Sequence, residues 1–129
     1  MKLNFLIECD DFEDYFKMHQ KALNKINDWL ESSNENENVS LVDLRLPAVA
    51  NIDDYDPFNP PKWQIGLSIQ TKKVKALKLP INFLNGLCKD LKVDISVNKV
   101  IDEQNKTISY FGTHDGRGDI FEIWQLADY

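Results

Sequence analysis

The sequence predicts an α+β fold: a single-domain two-layer sandwich with two helices on one face of a mostly antiparallel sheet. Two observations predict it. Between Phe12 and Leu30, apolar residues recur at steps of three and four (Phe12, Tyr15, Phe16, His19, Ala22, Leu23, Ile26, Trp29, Leu30), the period of an amphipathic helix. Most other apolar runs alternate with period two, as half-buried strands do. A length of 129 residues fits one domain, 1–129, long enough to bury about two thirds of the surface of its unfolded chain.

The first strand places Leu3, Phe5, Ile7 and Cys9 on one face, and Leu6 on the other marks it as interior. Asp10 and Asp11 end it and cap the helix, with Glu13 completing a capping-box pattern. The polar run from Ser32 to Asn38 is a loop. Val39 to Leu46 is a second strand, ended or placed near an edge by Pro47. From Asn51 to Lys62, three prolines, three aspartates, Tyr55 and Phe58 form a long irregular connection whose shape the prolines set in advance.

Trp63 to Ile69 alternates most cleanly. Lys72, Lys73, Lys75 and Lys78 follow as a basic rim, and Pro80 opens a second helix carrying Ile81, Leu84, Leu87, Cys88 and Leu91 on one stripe. Gly86 inside it costs about 1 kcal/mol of helix propensity, which a closely packed neighbouring backbone would justify. Val93, Ile95 and Val97 form a further strand that turns at Asp102 to Asn105.

Asp115-Gly116 reads as a two-residue hairpin turn joining the last two strands, so that Phe111 faces Ile120, Tyr110 faces Phe121 and Thr107 faces Trp124. In that register Ile108, Tyr110, Phe121 and Ile123 are core. Phe111, Ile120 and Trp124 share the other face with Ser109 and Glu122. The predicted order is β-α-β-β-α-β-β-β, a split βαβ-like arrangement with a C-terminal hairpin, its second sheet face open.

A formal charge of −6 and a pI near 4.8 argue against general binding to nucleic acid or anionic membranes and favour a basic partner. The N-terminal apolar run is too short for a signal peptide and no segment is long enough to span a bilayer, so the expected location is the cytoplasm. There Cys9 and Cys88 read as buried free thiols.

No metal or cofactor is expected, and no catalytic set stands out. His19 lies on the apolar stripe of the first helix and His114 at a turn. Gly112, Gly116 and Gly118 join strand to strand, where a phosphate loop needs a helix N-terminus. Arg117-Gly118-Asp119 spells an adhesion tripeptide at a length that chance supplies.

These absences favour a binding protein over an enzyme. The predicted partner surface combines the carboxylates Glu35, Glu37, Asp53, Asp54 and Asp56 with Tyr55 and Phe58, and adds Phe111, Ile120 and Trp124 from the hairpin. Such a surface suits an inhibitor of a basic protein such as a toxin nuclease. In size and charge the chain resembles immunity proteins that neutralise bacterial toxins. The alternatives are a homo-oligomeric domain, a homodimer for instance, that binds a ligand between subunits, and a small enzyme whose catalytic residues are dispersed.

Overall fold

A computed structural model describes residues 1–8, 12–32, 38–46, 62–113 and 115–128. In chain order these form β1 (Lys2–Glu8), α1 (Phe12–Glu31), β2 (Val39–Leu46), β3 (Lys62–Gln70), a 3-10 turn (Val74–Leu77), α2 (Lys78–Leu91), β4 (Asp94–Ile101), β5 (Gln104–Gly112) and α3 (Ile120–Ala127). The five strands make one antiparallel sheet in the order β2-β3-β1-β4-β5.

The fold class is therefore α+β, and the connections follow the split βαβ pattern. β1 and β2 run parallel, joined through α1 with β3 between them, while β3 and β4 run parallel through α2 with β1 between them. β1, which carries Leu6 on its second face, is the central strand, and β2 is an edge.

One apolar cluster fills the space between sheet and helices. Leu3, Phe5 and Ile7 of β1 meet Ile65, Leu67 and Ile69 of β3, and Ile95 and Val97 of β4, on the helix side. Ala22 and Ile26 of α1, Ile81, Leu84 and Leu87 of α2, and Ile123 and Ala127 of α3 close it from above. Outside the cluster, Trp29 of α1 stacks on Phe83 of α2 with centroids 4.7 Å apart, and Lys25 pairs with Asp90 at 3.6 Å.

The C-terminal hairpin is not formed. Gly112 N–H donates to the Gly116 carbonyl at 2.7 Å, so Gly116 is a bridge partner and not half of a two-residue turn with Asp115, and the pairing stops at that single bridge. The chain then continues into α3 instead of a sixth strand. Asp119 caps the helix, its Oδ1 accepting from Phe121 N–H at 2.9 Å and Glu122 N–H at 3.1 Å. The hairpin that does form is β4–β5, where Asp102 (φ 51°) and Glu103 (φ 66°) occupy the two left-handed positions of a tight turn between Ile101 and Gln104.

β5 also reverses the expected faces. Val97 pairs with Ser109 but Asn98 pairs with Thr107, leaving Ile108 as an extra residue in a bulge. Beyond the bulge Phe111 points into the core, 3% exposed and edge-on to Phe5 at 6.3 Å, while Tyr110 is 52% exposed. Phe121, expected in the core, is also exposed.

The second sheet face carries a polar network. Asn98 Nδ2 donates to Ser96 Oγ at 3.0 Å, and Thr107 Oγ1 donates to Asn98 Oδ1 at 2.6 Å. Its centre is not open as expected: Leu6, flanked by Gly66 and Ser96 on the neighbouring strands, is buried, as are Ser96 and Asn98. Gly66 is required for the close approach of β1 and β3, because a Cβ there would lie 1.8 Å from the Phe5 carbonyl oxygen.

Candidate functional site

Of the residues expected to meet a partner, Glu35, Glu37, Asp53, Asp54, Tyr55, Asp56 and Phe58 lie outside the described residues, as do Asp10, Asp11 and His114. Phe111 is removed from any surface by its burial. Ile120 and Trp124 remain, half-buried and packed against the core as part of α3.

What α3 offers to solvent is different from the expected face. With Ile123 and Ala127 turned inward, Phe121 stands 64% exposed and Leu126 36% exposed. Asp119, Glu122 and Asp128 are exposed beside them in sequence. The helix thus presents an unburied aromatic ring next in sequence to the exposed Glu122. Sequence signals for it existed: Asp119 and Glu122 have capping-box spacing, and Ile120, Ile123, Trp124 and Ala127 follow a helical period.

A second feature had no sequence signal. A groove of about 620 Å³ opens between α2 and the chain that links β5 to α3. Asn82, Asn85, Lys89 and Lys92 border it from α2 and its cap, and Thr113 and Arg117 from the linking chain. Asn85 holds the two sides together, its Oδ1 accepting from Gly118 N–H at 2.8 Å and its Nδ2 donating to the Gly118 carbonyl at 3.1 Å.

α2 ends at the groove. Lys92 takes the left-handed conformation (φ 55°), and the Cys88 carbonyl accepts from the N–H groups of Lys92 and Val93 and from the Thr113 hydroxyl. Cys88 itself is a buried free cysteine whose thiol is pushed up to about 12, by burial first and by the nearby Asp94 carboxylate second. A thiol so protonated is a poor nucleophile at neutral pH.

His19, on the apolar stripe of α1, is buried and bonded to Asp43 of β2 at 2.8 Å. Lys72, Lys73, Lys75 and Lys78 are exposed along the connection from β3 to α2. Among the described residues no group of three or more His, Cys, Asp or Glu is placed to hold a metal ion, and no helix is long and apolar enough to cross a membrane.

Fold and surface together define a small α+β domain with an acidic, aromatic-bearing terminal helix and a basic groove. No family model, no curated protein and no solved structure matches the chain.

Proposed function

We propose that this protein is a small acidic protein-binding module that acts in the cytoplasm as an inhibitor of the immunity type, occupying a basic partner such as a toxin nuclease. The observation that carries this reading is Phe121, an aromatic side chain left 64% exposed on α3 with Glu122 beside it in a chain of net charge −6. An aromatic ring that is desolvated only on binding supplies an anchor, and surrounding carboxylates speed encounter with a basic surface. Asp53, Asp54 and Asp56 extend the same charge complementarity in this reading.

The test is affinity capture of the tagged protein from its native cell, read by native mass spectrometry, followed by association kinetics on the captured partner. A stoichiometric basic partner is expected, with an association rate that falls as salt rises and falls further in Glu122→Lys. Phe121→Ser is expected to raise the dissociation rate. Capture of nothing, or a partner that binds both variants as tightly as the parent, overturns the proposal.

A further inference from the structure

The groove beside α2 carries an inference of its own, independent of the protein-binding reading. We propose that it is a binding site for a small organic dianion, a phosphate monoester or a dicarboxylate with an apolar body. Its volume of about 620 Å³ is that of a small-molecule pocket.

Charge is the first argument. The chain has 21 acidic residues against 15 basic ones, yet the described residues lining this groove include Lys89, Lys92 and Arg117 and no carboxylate, the nearest being Asp94 beside Cys88 and Gly112. None of the three cations is ion-paired with another described residue. Lys89 and Lys92 complement the C-terminal dipole of α2, as basic residues at helix ends ordinarily do. That role accounts for neither Arg117, which arrives from the chain before α3, nor the pair of Asn85 bonds that fixes Gly118 next to it.

The helix dipole opposes an anion here, so magnitudes decide. The C-terminal end of a helix is equivalent to roughly half a negative charge. Three full positive charges outweigh it together with the single carboxylate of Asp94 beside Cys88, and the Cys88 carbonyl at that end is already covered by donors from Lys92, Val93 and Thr113.

Space is the second argument. Gly86 sits in the middle of α2, where glycine is unfavourable, and no neighbour requires it: a Cβ built there meets nothing within 4 Å. The residue lines this groove and also a smaller one between α1 and α2, and with no side chain there its backbone is open to a ligand's body. Gly86, Cys88 and Gly112 form the less polar part of the lining, and the cations with Asn82 and Asn85 form the polar part.

The experiment is an amide-resolved NMR titration of the full chain with three probes: phenyl phosphate, phthalate and inorganic phosphate. Saturable shifts are expected at Gly86, Lys89 and Thr113 with phenyl phosphate or phthalate, with whichever probe binds tighter identifying the acid group. Inorganic phosphate should bind at least about tenfold more weakly, lacking the apolar body. Lys89→Gln with Arg117→Gln should weaken binding about tenfold or more. Gly86→Leu should abolish binding with the melting temperature unchanged or higher, which separates blockage from unfolding. No saturable shift at these amides with either organic probe overturns the site, as does undiminished binding in both variants. Inorganic phosphate binding as tightly as phenyl phosphate and phthalate overturns the organic ligand.

Discussion

His19 Nε2 and Asp43 Oδ1 lie 2.8 Å apart, a polar bond between α1 and the edge strand β2 with the imidazole buried beneath the helix. Among the described residues β2 pairs with β3 alone, so this bond is a second attachment for that strand. A buried ring that also satisfies a carboxylate contributes both packing and hydrogen bonding. His19→Ala is therefore expected to lower unfolding stability by about 2–4 kcal/mol and Asp43→Ala by about 1–3 kcal/mol. A double-mutant cycle by urea denaturation should give a coupling above about 0.5 kcal/mol, and additive losses would show that the bond carries no stability of its own.

Two glycines should respond to alanine with opposite signs. At Gly66 the new methyl would lie 1.8 Å from a backbone oxygen in the middle of the sheet, where neither strand moves without breaking its ladder. A loss of about 3 kcal/mol or more is expected. At Gly86 the methyl enters open space, and the ordinary helix preference for alanine should add about 1 kcal/mol. Chemical denaturation of the two variants beside the parent checks both.

The two phenylalanines of the C-terminal third provide a direct check on the core. Phe111 is 3% exposed against Phe5, and Phe111→Ala should cost about 3–5 kcal/mol. Phe121 is 64% exposed, and Phe121→Ser should stay within about 0.5 kcal/mol of the parent. A larger loss at Phe121 than at Phe111 would be the pattern of the C-terminal hairpin, which puts Phe121 in the core and Phe111 on the opposite face.

Cys88 should be silent toward thiol reagents in the native protein. With its thiol pushed up to about 12, almost no thiolate exists at pH 7.5, and burial blocks access. Iodoacetamide labelling, located by peptide mass spectrometry, should proceed at Cys88 only in denaturant. The raised value also sets a sign for alkaline stability. The native thiol keeps its proton after the unfolded one, at an ordinary 9.0, has lost it. The stability linked to this group is thus complete below pH 9 and declines as pH rises toward 12. Cys88→Ala should flatten that part of the stability curve, and an unchanged slope would assign the decline to other groups.

Part of this molecule was legible residue by residue. The stripe from Phe12 to Leu30, the alternation around Ile65 and Ile95, and the second stripe through Leu84 and Cys88 each lie within one element, where period alone decides which side is apolar. β1 as an interior strand and His19 as a core histidine followed from the same patterns. The segment after Asp115 did not resolve in this way, because Ile120, Phe121, Ile123 and Trp124 satisfy a strand reading as readily as a helical one. Asp119 and Glu122 carried the helical signal, but the Asp-Gly turn pointed to a hairpin.

Charge balance follows from composition, and local period and the α+β class from residues a few positions apart, so all three are written along the chain. What depends on contact between distant segments is settled by packing. The bulge at Ile108 turns Phe111 inward and Tyr110 outward, and one inserted residue in a ladder exchanges the faces of everything beyond it. α3 exists because Ile123 and Ala127 reach the common core together, on a surface built by other elements. The groove gathers Lys89 and Lys92 with Arg117 because Asn85 binds the Gly118 backbone, and no spacing along the chain encodes a meeting between two segments that only packing brings together.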